Sequence, residues 1–254
     1  MNAEAVFPYG AEAKVVVRCP VCHMPNVPTW VHDRYGYHVP YAICRGCTMG
    51  YLTEQMTREG YTRLYAGGYR ALVTALTGKP RLRSVDHRTV RSYGDIITDL
   101  LGVRPIRSIL DAGGSTGVIG QAVAARYGAD VTILDPATQE LPRERSITGW
   151  LEDSLPGQYD LALVVATSDH LTDPLAAFRN LRQAAKYLYV DFIDVALFQQ
   201  LGGRLKLKID HPLYWTAKAK HRALASTGWH VLKSRALCGE SKTYLMTAVA
   251  CEAT

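Results

Sequence analysis

Residues 108–117, Ser-Ile-Leu-Asp-Ala-Gly-Gly-Ser-Thr-Gly, constrain the fold more than any other stretch of this chain. A short apolar run ends in Asp111. Gly113, Gly114 and Gly117 then permit backbone angles and close approaches that a Cβ would forbid. The following residues, 118–127, suit a helix, and the first turn of a helix leaves N–H groups unpaired above the glycines. Residues 130–134 read as the next strand and deliver Asp135, 24 positions after Asp111. An acid there can accept hydrogen bonds from both hydroxyls of a ribose. A glycine turn alone is a weak signal. Coupled to that acid, it predicts a nucleotide-bearing cofactor.

The pattern continues. Strands are predicted at 159–165, 187–192, 230–236 and 243–250, and helices at 84–101, 175–185 and 218–227. Alternation of this kind builds a mainly parallel sheet covered on both faces. The chain has 254 residues, 48% of them hydrophobic, enough to bury one large core plus a small appendage. No apolar run approaches the ~18–20 residues that a membrane span needs. The start of the chain lacks a basic segment followed by an apolar one, so a cytoplasmic location is expected. The net charge is +6, and the last 54 residues hold the whole excess, nine Lys/Arg against three Asp/Glu. Such a patch suits a nucleic acid or a smaller anion such as a nucleotide diphosphate, unless it is only a solvated face.

Upstream, Cys19-Pro20-Val21-Cys22 and Cys44-Arg45-Gly46-Cys47 form two C-x2-C pairs separated by 21 residues. Four thiolates on two tight turns can close a tetrahedral Zn2+ site, and in a reducing compartment disulfides are disfavoured. Four protein ligands leave no position for water, which makes the metal structural. His23, His32 and His38 are competing donors that two complete pairs make unnecessary. Trp30, Tyr35, Tyr37 and Tyr41 surround Gly36 in a pattern suited to a hairpin. A unit this small needs the metal in order to fold. Cys238 and Cys251 fall in apolar runs and read as core.

Leu110 to Gly117 resembles the hD-x-G-x-G-x-G motif of class I S-adenosylmethionine-dependent methyltransferases, with Ser115 in place of the middle glycine. The stretches Gly149 to Pro156, Tyr159 to Leu161 and Asp169 to Pro174 are similar to later motifs of that superfamily. The resemblance covers roughly residues 84–250. It implies a Rossmann-like seven-stranded sheet with an antiparallel last strand and S-adenosyl-L-methionine as cofactor. Asp111, Gly113 and Gly117, with Gly114 and Ser115 in the same turn, would border its methionine part. Asp135 would hold the ribose, and Leu151 with Glu152 or Asp153 the adenine. The expected division is a zinc-ribbon-like module at 1–60, a linking and substrate-contacting segment at 61–83, and the methyltransferase domain at 84–254.

Two zinc-bearing groups of that superfamily narrow the acceptor. Sugar C-methyltransferases and their polysaccharide-associated relatives combine a four-Cys module, a tyrosine-rich link and a late H-E-H-x-x-Y-F-S segment. This chain resembles them in Leu64 to Arg70, with Tyr65 and Tyr69, and in Ile209-Asp210-His211-Pro212-Leu213-Tyr214-Trp215-Thr216. Asp210, His211 and Tyr214 match the family's Glu, His and Tyr. Ile209 departs from its first His, and the long C-terminal domain is missing. The second group methylates 23S ribosomal RNA guanine; CPVCH and Glu59-Gly60-Tyr61 are similar to it. An RNA reader should carry positive charge on its zinc module, and residues 1–60 hold five Lys/Arg against five Asp/Glu.

The sugar reading therefore leads, with a nucleotide-linked sugar or glycan as the expected partner. His211 is the expected base, assisted by Asp210, with Tyr214 or Tyr65 on the sugar. His170, beside Asp169, is a second candidate at a strand end. Asp191 and Asp194 either reach the cleft or cap the next segment. Lys206 and Lys208, with Arg204, alternate as if along one strand face and would hold a diphosphate. Methyl transfer to another metabolite and, on the departure at Ser115, a non-enzymatic zinc-ribbon binding protein with a degenerate cofactor fold are the remaining alternatives.

Overall fold

The computed structural model describes residues 2–78, 87–136, 146–238 and 245–253. Its centre is a seven-stranded sheet. The strands are β6 (Ser108–Ala112), β7 (Asp130–Asp135), β8 (Ser146–Thr148), β9 (Tyr159–Val164), β10 (Ala185–Ile193), β12 (Trp229–Cys238) and β13 (Leu245–Ala253). Their spatial order is β12-β13-β10-β9-β6-β7-β8. Neighbours from β10 to β8 run parallel, whereas β13 is antiparallel to both β10 and β12. The order reverses at β6, and in open α/β sheets the ligand crevice lies outside the strand ends at such a point.

Helices cover both faces. On one, α4 (His87–Leu101) and α5 (Val118–Tyr127) bury Ile97, Leu101 and Val123 against Ile109, Leu161 and Tyr189. On the other lie α6 (Pro174–Ala184) and α8 (Ala217–Ser226) with Phe178, Leu181 and Leu224. Local signals set the helix starts: Asp173 accepts from Ala176 N at 2.9 Å ahead of Pro174. Thr216 accepts from Ala219 N at 3.2 Å. The short helix α7 (Val195–Gln200) is capped by Asp194, which also accepts from Ala217 N at 3.2 Å. Asp194 is thus a cap and not a cleft residue.

The N-terminal part holds α1 (Ala3–Val6), β1 (Lys14–Val16), β2 (Thr29–His32), β3 (His38–Ile43), β4 (Gly50–Leu52) and β5 (Glu54–Met56). β2 and β3 form the expected hairpin. The expected link is helical: α2 (Arg58–Arg63), a π-helical turn Leu64–Gly68, and α3 (Tyr69–Thr77) run on from one another. One extra residue per turn in the middle rotates the tyrosines relative to the flanking helices, a device common at functional sites.

The two parts share strands and core. β11 (Leu213–Tyr214) lies in Ile209–Thr216 yet pairs with β4, making the order β11-β4-β3-β2. Leu207, Ile209 and Tyr214 pack with Tyr35, Tyr37 and Leu64, and the four cysteines share a cluster with Trp215 and Val190. The expected cationic strand at 204–208 pairs with no strand among the described residues. Its alternation survives, because Leu207 is buried while Arg204 and Lys206 face solvent. Its backbone bonds go elsewhere: Leu207 O accepts from Arg34 N at 2.8 Å, and Asp33 accepts from Ile209 N at 3.1 Å.

The predicted starts at 84–86 and 243–244 lie outside the described residues, as do residues 79–83 of the link and the Cys238 side chain. Cys251 is buried in the core, as expected. No helix among the described residues is long and apolar enough to cross a membrane.

Candidate active site and metal site

A cavity of about 470 Å³ opens at the carboxyl ends of β6, β7 and β9. Its floor is the glycine turn. Gly113 and Gly117 take left-handed angles, φ 77° and 73°, and so does Ser115 at φ 51°. Serine in place of the motif's glycine thus keeps the turn, at a local cost of roughly 1–2 kcal/mol. Side chains at the glycines would not fit: a Cβ on Gly113 would collide with Thr167, and one on Gly117 with Ile133. Ser115 N donates to Asp135 Oδ2 at 3.0 Å, which brings the acid over the turn.

Asp111 lies beneath the turn and is not part of the cavity wall. Its Oδ2 accepts from Gly120 N at 3.1 Å, fastening β6 to α5, and burial raises its pKa to about 7. On the opposite wall are Gly149, Trp150, Leu151 and Glu152. Glu152 Oε1 accepts from Thr172 N at 2.9 Å, and its Oε2 is a buried acceptor with no partner among the described residues. Asp153 points outward to Arg58 at 2.6 Å. Arg58 also lies 5.7 Å from the Trp150 ring, so α2 braces this wall.

Tyr65, Tyr69 and Arg70 close the cavity above the turn, and His170 and Thr167 complete it. His170 Nδ1 is 2.7 Å from the Asp210 carbonyl oxygen and 2.8 Å from Tyr65 OH. A carbonyl only accepts, so Nδ1 carries the proton and Nε2 is the basic nitrogen of the neutral ring. Tyr65 OH also donates to the same carbonyl at 3.2 Å. Asp210 and His211 therefore stand next to His170, but neither lines the cavity. Pairing of β11 with β4 draws that stretch toward the N-terminal sheet and turns the Asp210 carbonyl, not the His211 ring, to the site.

His211 packs edge-on against His170 with ring centroids 4.4 Å apart. Its Nδ1 is 3.8 Å from Asp169 Oδ2, its Nε2 is 3.4 Å from Asp210 Oδ2, and Lys208 Nζ lies 3.2 Å from Nε2. One ligand atom each from His170, Asp210 and His211 lie within 4.8 Å of one another, a set that could hold a metal. The Lys208 ammonium already supplies the positive charge there. Tyr214 is a buried strut: its OH accepts from Lys208 N at 2.7 Å. Neither Lys206 nor Lys208 lines the cavity; Arg70 does. Asp191 holds the wall by accepting from Ala166 N at 2.7 Å.

Arg70, Trp150 and Thr167 are wall residues to which no role fell in the sequence. Arg70 follows the Tyr65–Tyr69 pair and Trp150 precedes Leu151, so both sat beside residues already singled out.

The four cysteine sulfurs converge. Cys19 and Cys47 Sγ are 3.4 Å apart, Cys22 and Cys44 3.2 Å, and Cys22 and Cys47 3.8 Å. Tetrahedral Zn–S bonds of about 2.3 Å give edges of about 3.8 Å, so this donor set fits zinc. The two turns repeat each other. His23 N donates to Cys19 O at 2.8 Å and Thr48 N to Cys44 O at 2.9 Å. Both residues are left-handed, φ 58° and 66°. His32 and His38 stack on each other at 5.0 Å, outside the cluster.

No protein-family model matches the chain, and no curated protein matches it in sequence. Solved structures do match. An S-adenosylmethionine-dependent methyltransferase of Leishmania major has a TM-score of 0.58 at 16% identity, over 89% of this chain and 97% of that one. The Burkholderia thailandensis 1,6-didemethyltoxoflavin-N1-methyltransferase, solved with 1,6-didemethyltoxoflavin and S-adenosylhomocysteine, has a TM-score of 0.56 at 16% identity, over 84% and 98%. Mitomycin 7-O-methyltransferase has a TM-score of 0.54 at 16% identity, over 76% of this chain and 60% of that one. Strand order, antiparallel β13 and these likenesses define the class I methyltransferase fold, the seven-stranded α/β sheet expected from the sequence.

Proposed function

We propose that this chain is an S-adenosylmethionine-dependent methyltransferase acting on a small molecule, a sugar or nucleotide-linked sugar, at carbon or oxygen. The carrying observation is the tautomer-fixed His170 on the wall of a cavity whose floor and sides suit the cofactor. The glycine turn admits the cofactor chain, Asp135 suits the ribose hydroxyls, and the unpartnered Glu152 Oε2 suits an amino donor such as that of adenine. Bound there, the cofactor supplies an electrophilic methyl group on a sulfonium.

The chain's own task is to place the acceptor in line and to remove its proton. His170 Nε2 takes that proton, from a hydroxyl or from a carbon beside a ketone. Tyr65 and the Asp210 carbonyl hold its ring, and Tyr65, Tyr69 and Arg70 bind the acceptor. The sugar assignment rests on the tyrosine-bearing link and on the match of Asp210, His211 and Tyr214 to the sugar C-methyltransferase segment. Residues 1–60 serve as the zinc module, 61–83 as the acceptor-contacting segment and 84–254 as the catalytic domain.

Two tests separate the cofactor from the acceptor. S-adenosylmethionine at 100 times its Kd is expected to add roughly 2.7 kcal/mol of stability, read as a rise in melting temperature. No rise in folded, cofactor-free protein would leave the zinc-ribbon binding protein with a degenerate cofactor fold. Asp135→Ala is expected to weaken cofactor binding about 10- to 100-fold in calorimetry, by loss of charge-assisted hydrogen bonds worth roughly 1.5–3 kcal/mol. Transfer of labelled methyl groups to a panel of nucleotide-linked sugars tests the acceptor class. Transfer to ribosomal RNA, with no sugar methylated, would reverse that assignment.

A further inference from the structure

The cationic run Arg204-Leu205-Lys206-Leu207-Lys208 takes no part in cofactor binding or proton removal, and the fold gives it a neighbour from far upstream. Arg34, in the turn between β2 and β3, donates from its backbone N to Leu207 O at 2.8 Å, which lays that turn against the run. Its guanidinium carbon lies 5.3 Å from the Tyr35 ring centroid, and its Nε is a buried donor with no partner among the described residues. Arg204 and Lys206 face solvent, and neither has an ion-pair partner among the described residues. The acid beside Arg34 is already spent. Asp33 is 7% exposed; its Oδ1 accepts from Tyr35, Gly36 and Tyr37 N at 2.8, 2.9 and 2.9 Å, and its Oδ2 from Ile209 N at 3.1 Å. Cations left without a counter-charge around an orphaned buried donor call for an anion.

We propose that Arg34 and Lys206, flanked by Arg204, form a subsite for the diphosphate of a nucleotide-linked acceptor. The place suits that role. Tyr35, against the Arg34 guanidinium, donates to Asp210 Oδ1 at 3.3 Å, and the Asp210 carbonyl meets His170 Nδ1 at 2.7 Å. Lys206 lies four residues before Asp210, at most about 13–14 Å of chain, a reach of the same order as a sugar ring and two phosphates in line. Lys208 Nζ sits 3.2 Å from His211 Nε2, so the run gives one cation to the histidine pair and leaves the others for a ligand. A guanidinium fork meets phosphate oxygens in pairs, and lysine adds a point charge. Nucleic acid is the competing anion, but residues 1–60 hold five Lys/Arg against five Asp/Glu, so the module that carries Arg34 offers no wider positive face to a phosphate chain.

The inference rests on the nucleotide-linked sugar reading, and its test reads binding without turnover. Calorimetry on the full chain with S-adenosylhomocysteine present uses uridine, thymidine and guanosine diphosphates, the matching nucleosides and inorganic pyrophosphate. At least one diphosphate is expected to bind, and its nucleoside more weakly. Arg34→Gln and Lys206→Gln are each expected to weaken that binding about 10- to 100-fold, the worth of a charge-assisted hydrogen bond. Lys186→Gln, which removes the same charge near the amino end of β10, is expected to leave it unchanged. Melting temperatures check that each variant is folded, and the exposed Lys206 decides alone where Arg34→Gln is not. Three results overturn the proposal: no diphosphate binds, folded Lys206→Gln binds as before, or Lys186→Gln weakens binding equally. Ribosomal RNA held through these cations while every diphosphate fails overturns it too. Diphosphate binding through them with no sugar methylated would reverse the acceptor assignment and keep the subsite. Nucleotide-linked sugars methylated with KM unmoved by Lys206→Gln would do the opposite.

Discussion

Removing the proposed zinc from the cysteine site is expected to lower the melting temperature by more than ~10 °C and methyl transfer more than ~100-fold, although none of the four clustered cysteines lines the cavity. Structural zinc contributes about 10–16 kcal/mol to small peptide domains. If even ~5 kcal/mol of that is felt here, a 150–250-residue protein loses roughly 10–20 °C. The effect on catalysis follows from the strands. β4 begins three residues after Cys47 and carries β11, and Leu52 N donates to Pro212 O at 2.9 Å. Thr48 Oγ1, next to Cys47, meets Thr216 Oγ1 at 2.8 Å, where Thr216 caps α8. Tyr35 OH donates to Asp210 Oδ1 at 3.3 Å from the β2–β3 turn. Loss of the knuckles thus releases the stretch that holds His170, and a shift of ~1 Å at a catalytic group can cost ~100-fold. Cys47→Ser and a strong chelator should agree, with metal content measured in both. Metal-depleted protein with unchanged melting and unchanged transfer would show that the module is an appendage.

The parts of this design legible in the sequence are those written locally. The turn of Gly113 and Gly117, the acid at Asp135 and the two C-x2-C pairs each depend on residues a few positions apart, so their pattern survives translation into one dimension. The sheet and its antiparallel β13 followed from alternation and from resemblance. What stayed hidden was long-range. Leu213 and Tyr214 look like core residues of a terminal domain, and nothing near them says that they extend a sheet begun at Thr29. That pairing decides that His170 lines the cavity while His211 sits beside it. Lys206 and Lys208 alternate like strand residues, but the backbone around them bonds elsewhere: Leu207 O accepts from Arg34 N, Lys208 N donates to Tyr214 OH and Ile209 N to Asp33. Lys220 reads as one more charge of a basic segment, and the aromatic cage around it draws on Phe178 of α6, Phe192 of β10 and Trp215 between β11 and α8.

His170→Ala is expected to reduce kcat about 10²- to 10⁴-fold while cofactor affinity stays within about twofold. That range is the usual worth of a positioned general base and amounts to roughly 2.7–5.5 kcal/mol of barrier. The proposed cofactor contacts lie on the glycine turn, Asp135 and the 149–152 wall, whereas His170 is held by Tyr65 and the Asp210 carbonyl. Tyr65→Phe keeps the ring between Tyr61 and Tyr69 but removes the hydroxyl that shares the Asp210 carbonyl with Nδ1. Its expected loss is about 2- to 13-fold, the worth of one hydrogen bond at roughly 0.5–1.5 kcal/mol. His211→Ala should fall between the two, because it removes the ring packed on His170 and not the wall residue itself. Steady-state kinetics on the acceptor found by the sugar panel, with cofactor binding measured separately, ranks the three. If His211→Ala is the inactive variant and His170→Ala retains turnover, the proton leaves through His211, and the β11 segment must then open toward the cavity when the acceptor binds.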